Sequence, residues 1–478
     1  MKILLFLFAT GCQLLAFSFP LKAQYTNLLN FNDFNGIYPV GDLTLSGGLL
    51  YGMTPYGGAY DEGCIFSMDT NGGLYMDLHD FNDTNGAIPY GSLIHSGSRL
   101  YGMTSTGGTY DSGCVFSINT SGGGYTILHY FTDTNGAFPH GDLILSGRTL
   151  FGMTSAGGRH DSGCIFSIDT DGSSYRDLHD FRDTNGHPYG SLTWVNGKLF
   201  GMASYGEYKV PVHIGDSTIY DSGCIFSIDT NGSNYKVLYN FTGPYGAYPW
   251  GSLMLLKDRL YGMTSAGGGY HKGCAFSIDT NGGGYSYLYS FQGIANGANP
   301  HGSFIYASTN LLYGMTSRGG VNDSGCIFTL DTNGGRFKDL FNFKDTSGIY
   351  PHGSLALSGS SLYGMAEYGG RYNIGVVFKV DTNNYRYTAI NEVRTSSGTI
   401  SVYPNPNNGI FTIQSSIVSG RSVVEIYNML GEKVYTEAQS QGYKNTTINL
   451  TGQPNGVYLY RVVSDNGGVV GEGKMVIQ

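Results

Sequence analysis

Basic residues are scarce in this sequence of 478 residues, and they do not gather into a run. Lys and Arg together number 26 against 35 Asp and Glu, so the formal net charge is −9. Domains that bind nucleic acid usually present a basic patch or stripe. The composition therefore argues against a nucleic-acid partner.

Long apolar runs are missing after the first 23 residues. Residues 1–23 contain Lys2, an apolar run from Ile3 to about Phe19, and Ala23 just before Gln24, which is the pattern of a secretory signal peptide. The alternative is a lipoprotein signal that is cut before Cys12. No later stretch is apolar for long enough to cross a bilayer. We therefore expect export through the periplasm and no transmembrane segment in the mature chain.

Several catalytic and metal-binding motifs are also missing. The sequence has no zinc-ligand spacing, no phosphate-binding loop and no Gly-x-Ser-x-Gly elbow. Most acidic residues recur at a fixed period, as scaffold residues do, whereas an acid–base pair needs two distinct environments. A hydrolase or lyase would have to use residues that break the period, such as Glu62, Glu207, His213, Lys272 or Glu367.

What the sequence does contain is a repeat, best seen in Gly141–Phe181 and present seven times. Its anchor is an aromatic residue followed by Gly-Met-Thr or Gly-Met-Ala, with spacings of 50, 50, 49, 61, 52 and 50 residues. Periods of this length with strand-like content are typical of propeller blades. The seven anchors begin at Tyr51, Tyr101, Phe151, Phe200, Tyr261, Tyr313 and Tyr363.

Each repeat carries four short strand signals separated by Gly, Asn, Asp and Ser, and none shows a sustained helical period. In the third repeat we predict strands over Asp142–Ser146, Thr149–Thr154, Cys164–Asp169 and Tyr175–Phe181. The predicted fold is thus all-β, a seven-bladed propeller of four-stranded blades over residues 24–390. Seven radial sheets leave only short edges.

The chain has an extra match to the fourth strand ahead of the first repeat, at Tyr25–Phe31. The seventh repeat ends in a weaker version, Tyr385–Ile390. We predict that the N-terminal strand completes the last blade and closes the ring.

The runs LYGMTSTGG, GCIFSIDTNG and DTNGAFPHGDLILSG resemble the GloVer (Gloeo/Verruco) tandem repeat of bacterial exported proteins. The resemblance covers roughly residues 25–390. Met after Tyr-Gly and Cys in the Gly-x-x-Phe strand depart from the family pattern. The family is defined by its repeat, so the resemblance implies no catalytic residue.

Six cysteines occupy one equivalent strand position, and Val376 replaces the seventh. Equivalent positions in neighbouring sheets lie about 10 Å apart. A disulfide can join two cysteines only when their Cα atoms are within roughly 7 Å of each other. A position that accepts Val is a small buried apolar one. We predict free core thiols at Cys64, Cys114, Cys164, Cys224, Cys274 and Cys326.

After a polar linker at residues 391–398 the repeat stops, and residues 399–478 carry seven short strand signals. They predict a small immunoglobulin-like β-sandwich. Ser401–Phe411, Val424–Tyr435, Leu450–Val462 and Gly473–Gln478 resemble the C-terminal sorting domain of type IX secretion. That resemblance implies the type IX machinery as a partner and either surface attachment or release. An accessory adhesive sandwich is the alternative.

The residue between Pro and Gly before each first strand changes from repeat to repeat. Strand order places these residues on the face that carries the long loops, near the propeller axis. Aromatic residues and His in a ring there would suit stacking on sugars or other flat ligands. The alternative is that they only cap contacts between blades. The seven residues are Val40, Tyr90, His140, Tyr189, Trp250, His301 and His352.

The fourth repeat carries an insertion, Glu207–Ile219, in the loop between its second and third strands. Its Lys209, His213 and Asp216 break the sevenfold pattern, as a unique binding site requires. An ordinary surface insertion is the alternative, because loops tolerate extra residues at low cost.

Two further sets of recurrent residues can be explained by turn formation and by packing. Recurrent Asp residues in Gly-rich loops suit Ca²⁺, although they equally suit turns in which the side chain bonds its own backbone. We expect no cofactor, and calcium stays the open alternative. His79, His129 and His179 interchange with Tyr239, Tyr289 and Phe341, which indicates packing. The Asp residues are Asp61, Asp111, Asp161, Asp221 and Asp323, and Asp33, Asp83, Asp133, Asp183 and Asp345.

Together these patterns favour an exported surface propeller that binds a ligand such as a glycan or a surface protein. A structural cell-envelope protein and a secreted enzyme that acts on glycans stay open as alternatives.

Overall fold

The computed structural model describes residues 23–182, 186–204, 212–214, 217–219, 222–307, 310–382, 400–415, 422–428, 432–439, 445–464 and 469–478. The chain divides into two compact units, residues 1–386 and 387–478. The predicted signal peptide (apart from Ala23) and linker, and the weak match at Tyr385–Ile390, lie outside the described residues. Among those residues, no helix has the length and apolarity needed to span a membrane.

The first unit is a seven-bladed propeller, as predicted. Each blade is an antiparallel four-stranded sheet, and first strands of neighbouring blades contact one another around the axis. In blades 1 to 3 the strands are Thr44–Ser46, Leu49–Thr54, Cys64–Asp69 and Met76–Asp80; Ile94–Ser96, Arg99–Thr104, Cys114–Asn119 and Thr126–Tyr130; and Ile144–Ser146, Thr149–Met153, Cys164–Asp169 and Arg176–Asp180.

The remaining blades follow the same order. In blades 4 to 6 the strands are Thr193–Val195, Lys198–Ala203, Cys224–Asp229 and Lys236–Asn240; Met254–Leu256, Arg259–Thr264, Cys274–Asp279 and Ser286–Ser290; and Ile305–Ala307, Leu311–Thr316, Cys326–Asp331 and Lys338–Asn342. Blade 7 has Ala356–Ser358, Ser361–Ala366 and Val376–Asp381, and a 3₁₀ turn, Asp345–Ser347, precedes it.

The ring closes through the N-terminal strand, Gln24–Asn30, which pairs antiparallel with Val376–Asp381 as the fourth strand of blade 7. This prediction is confirmed. Tyr25 of the closing strand stacks on Phe341 of blade 6 with ring centroids 4.4 Å apart.

The same stacking repeats around the outside of the propeller. His79 stacks on Tyr125 of the next blade with centroids 3.9 Å apart, and His129 and His179 make the same contact with Tyr175 and Tyr235. The prediction that these histidines serve packing is confirmed.

The core lies between blades, and the repeat sequence explains it. Phe66 of the third strand is fully buried, and its ring lies over Gly52 of the second strand, where an added Cβ would meet the ring at 2.5 Å. The glycine of the anchor therefore makes room for the phenylalanine. The six cysteines are free and buried, as predicted.

The second unit has a three-stranded sheet and a four-stranded sheet, and their side chains share one apolar cluster. The immunoglobulin-like topology stays a prediction. The strands, in chain order, are Ile400–Tyr403, Ile410–Ser415, Ser422–Tyr427, Lys433–Gln439, Asn445–Asn449, Gly456–Ser464 and Val469–Ile477.

Candidate functional site: a pocket on the propeller axis

The seven glycines that follow the variable Pro-X-Gly residue bring the blades together at the axis. A Cβ added to Gly141 would lie 2.1 Å from the carbonyl oxygen of Gly190 in the next blade. The same close approach occurs at each junction and ends with Gly353 against Gly41. Only glycine permits this spacing, which fixes the position of the residue on either side of it.

The residue after each glycine closes a ring of hydrogen bonds around the axis, here termed the acceptor ring. Each side-chain oxygen accepts a hydrogen bond from the backbone N–H of the preceding blade, as when Asp42 N–H donates to Ser92 Oγ at 2.6 Å. The last bond joins Ser354 N–H to Asp42 Oδ1. The members are Asp42, Ser92, Asp142, Ser191, Ser252, Ser303 and Ser354.

A pocket of about 340 Å³ opens on the axis beside this ring, on the face of the long loops. It is lined by Val40 and by all six of the predicted aromatic and His residues, here termed the collar. A volume of this order matches the smaller ligand pockets of proteins. The collar consists of Tyr90, His140, Tyr189, Trp250, His301 and His352.

The collar residues stack on one another. Trp250 lies between Tyr189 and His301, with centroids 4.3 and 5.4 Å away and interplanar angles of 22° and 12°. Tyr90 likewise stacks on His140 at 4.7 Å. The collar therefore lines the pocket and also forms the blade-to-blade contact that the alternative interpretation proposed. Because its neighbours occupy both faces of Trp250, an incoming ligand meets ring edges and polar tips first.

Two collar histidines and Glu367 form a series of polar contacts at one side of the pocket. His352 Nε2 lies 2.9 Å from Glu367 Oε2, and His352 Nδ1 lies 2.7 Å from His301 Nδ1. When His352 is neutral and donates to Glu367 through Nε2, its Nδ1 accepts the N–H of His301. Glu367 stands where five other blades have a serine.

A serine at this position donates a hydrogen bond to a backbone carbonyl instead. Ser204 Oγ, for example, donates to the carbonyl of Pro249 at 3.0 Å. Glu367 therefore breaks the sevenfold pattern inside the pocket, and its carboxylate is one of three that line it.

The other two carboxylates belong to Asp42 and Asp142 of the acceptor ring. Burial, together with the nearby charge of Asp142, raises the pKa of Asp42 to about 7. Burial also raises the pKa of Asp142. Neither Asp42 nor Asp142 is among the site residues that the sequence predicts. The signal was the alternation of Gly-Asp with Gly-Ser at this one position of the repeat.

Two collar histidines are neutral near pH 7. Burial lowers the pKa of His140 to about 4. Burial, with the charges of His352 and Arg318, lowers the pKa of His301 to about 3. These two side chains therefore add no positive charge to the pocket at neutral pH.

The insertion of blade 4 forms a two-stranded hairpin, Val212–Ile214 with Ser217–Ile219, between the second and third strands of the blade. His213 lies on its first strand, opposite Thr218. Lys209 and Asp216 lie outside the described residues. A role of these three residues in binding stays a prediction.

The recurrent aspartates of the strand 2–3 loops bond their own loop. Asp61 Oδ1 accepts the backbone N–H of Gly57 at 3.1 Å, and Asp111, Asp161 and Asp323 repeat this contact. All four residues have positive φ. The turn interpretation is thus confirmed for these four. Within the described ranges, no three His, Cys, Asp or Glu side chains are grouped to hold a metal ion.

Comparison with known sequences divides the chain in the same two parts. The Gloeobacter/Verrucomicrobia repeat profile matches residues 15–129, 95–219 and 208–412. The profile of the secretion system C-terminal sorting domain matches residues 401–478. No curated protein has a sequence that matches this one.

Among solved structures, the chain is similar to PorZ, a surface component of the type IX secretion system of Porphyromonas gingivalis. The identity is 13%, the TM-score is 0.45, and the match covers 93% of this chain and 59% of PorZ. The chain is also similar to the extracellular domain of BT4673 from B. thetaiotaomicron, with 11% identity and a TM-score of 0.45. That match covers 95% of this chain and 58% of the BT4673 domain. For the polysaccharide lyase Uly1 the identity is 10% and the TM-score is 0.45, and the match covers 74% of this chain and 92% of Uly1. This chain thus spans under two thirds of the first two proteins, and such distant similarity does not identify a ligand.

Proposed function

Because the chain belongs to the Gloeobacter/Verrucomicrobia repeat family and carries a type IX sorting domain, we propose that it is an exported binding protein whose propeller takes up the end of a glycan. The sorting domain places the protein outside the cell, either attached to the surface or released. The observation that carries the proposal is the axial pocket with its collar of six rings.

The pocket combines the two properties that sugar binding requires. The ring edges give apolar contact area, and the hydroxyl and ring-nitrogen groups of Tyr, Trp and His give hydrogen bonds at their tips. Its volume of about 340 Å³ suits one or two sugar units rather than a long segment of polymer. We therefore expect recognition of a glycan terminus.

The surface around the pocket supports the same function. In the described part of the propeller, ten of the thirteen large exposed apolar side chains lie in loops of the long-loop face. Loops on a rigid scaffold are the usual location of binding residues, and these loops carry exposed apolar side chains. The ten are Phe34, Tyr60, Tyr110, Phe138, Tyr245, Trp250, Tyr270, Ile294, Val321 and Tyr372.

A glycan-array screen of the full chain tests the proposal, with Trp250→Ala as the test variant. Trp250 is 37% exposed and lines the pocket, so we expect its loss to weaken binding on the order of tenfold or more. The matched control is Trp194→Ala. Trp194 is 44% exposed in the first strand of blade 4, and it does not line the axial pocket.

Selective binding that Trp250→Ala abolishes and Trp194→Ala retains supports the proposal. An array on which the wild-type protein binds nothing refutes it and favours the structural envelope role. Turnover of a bound glycan would instead favour the enzyme alternative, with Glu367 and His352 as the first residues to test.

A further inference from the structure

We infer that the ligand of the axial pocket carries an ammonium group, so that the preferred glycan terminus is an amino sugar that is not acetylated. This inference rests on the proposed function and specifies its ligand. It comes from the charge of the pocket lining, considered together with the aromatic collar.

The lining of the pocket is acidic, although the charge of Arg318, which is not a lining residue, reaches His301 of the collar. Asp42, Asp142 and Glu367 all line the pocket, and no Lys or Arg is found among its described lining residues. His352 pairs with Glu367 and offsets that one carboxylate at most. His140 and His301 are neutral at pH 7 because burial lowers their pKa values to about 4 and 3. An anionic ligand, such as a uronate or a sulfated sugar, is therefore disfavoured.

The positions of the carboxylates define where a cation would bind. Asp142 follows His140 of the collar by two positions, and Asp42 follows Val40 by two, so both lie just before the first strand of their blade. Each offers one oxygen to a backbone N–H of the acceptor ring. The collar residues line the same pocket, and charge interactions are stronger inside a pocket than in open water. A sugar ring against the collar would place its ammonium group near these carboxylates.

The titration of Asp42 agrees with this geometry. Its raised pKa of about 7 reflects burial and the repulsion of Asp142. A bound cation would reduce that repulsion and favour both ionised carboxylates. A neutral sugar supplies no such compensation.

The test compares two probes that differ in one group, the glucosamine trisaccharide and its fully N-acetylated counterpart. Binding is followed by calorimetry on the full chain at pH 7. We expect the glucosamine trisaccharide to bind more tightly, on the order of tenfold or more, because the carboxylates of the lining attract an ammonium group that the acetylated sugar lacks.

The double variant Asp42→Ser/Asp142→Ser removes the charge and keeps the ring. Serine occupies this position in five blades and bonds the same backbone amide, so the fold is preserved. We expect the variant to lose its preference for the amine and to bind both probes equally. Asp258→Ser, at an exposed aspartate in a hairpin of the opposite face, is the control and should retain the preference.

The outcomes separate the two proposals. Equal binding of both probes by the wild-type protein overturns the inference and leaves glycan binding in place. A preference for the amine that survives in the double variant also overturns it, since the charge then comes from elsewhere. Binding of neither probe, with a blank array, overturns both.

Discussion

Serine and aspartate interchange in the acceptor ring because both present an oxygen to the backbone amide of the preceding blade. They differ in charge, and the two aspartates therefore add a titration that the five serines lack. Burial holds a proton on Asp42 up to about pH 7, whereas an Asp in the unfolded chain loses its proton near pH 4. The free energy of unfolding consequently falls as the pH rises from about 4 to 7.

Asp42→Ser should remove much of this dependence. We expect its melting temperature to exceed that of the wild type at pH 8 by about 2 °C or more and to match it at pH 4. Thermal melts across this range, monitored by circular dichroism, measure the effect, with Asp258→Ser as the control. A variant that is less stable than the wild type at pH 8 would show that the carboxylate at residue 42 stabilises the ring.

The sequence predicts where the collar residues lie but not how their side chains pack. Strand order alone predicts that Trp250 and its six equivalents meet at the axis, because every blade enters its first strand at the same place. It does not predict that Trp250 stacks between Tyr189 and His301, because stacking depends on side-chain rotamers and on the distance between blades. Pairing of Glu367 with His352 depends on the same distances.

At the scale of strands, the repeat period and turn residues predict nearly all of the propeller. The third blade, for example, has strands at Ile144–Ser146 and Cys164–Asp169, within two residues of the predicted ends. The alternation of apolar and polar residues in strands and the Gly-rich turns are local properties, so they can be recognised in the sequence. The insertion of blade 4 has no sequence equivalent in the other blades, so nothing in the repeat predicts its hairpin.

The closing strand is the element on which the integrity of the ring depends. Tyr25 packs against Phe341, Phe343 and Phe378, and its hydroxyl donates to the carbonyl of Ser347. Tyr25→Ala removes these contacts across the closure, so we expect a loss of about 2 kcal/mol in the free energy of unfolding.

Chemical denaturation of this variant measures the loss. The matched control is Tyr60→Ala, since Tyr60 is 60% exposed in a loop and should change stability by no more than about 0.5 kcal/mol. Equal stability of the Tyr25 variant and the wild type would mean that the N-terminal strand does not hold the ring closed.

At the scale of the whole protein, the two faces of the propeller differ in kind. Tight hairpins form one face, while the long loops, the axial pocket and most exposed aromatic residues form the other. Loops on a rigid scaffold are the usual location of binding sites. The type IX sorting domain brings this scaffold to the cell exterior, where the proposed binding face has access to extracellular ligands.

The most direct measurement uses the fact that the chain has only two tryptophans, Trp194 and Trp250. In the Trp194→Phe variant, Trp250 is the single tryptophan, and it reports on the axial pocket. Titration with the oligosaccharide that binds most tightly on the array should give a saturable change in its fluorescence, at the concentration at which calorimetry detects binding. Binding that leaves Trp250 fluorescence unchanged, and that persists in Trp250→Ala, would place the ligand elsewhere and contradict the proposal.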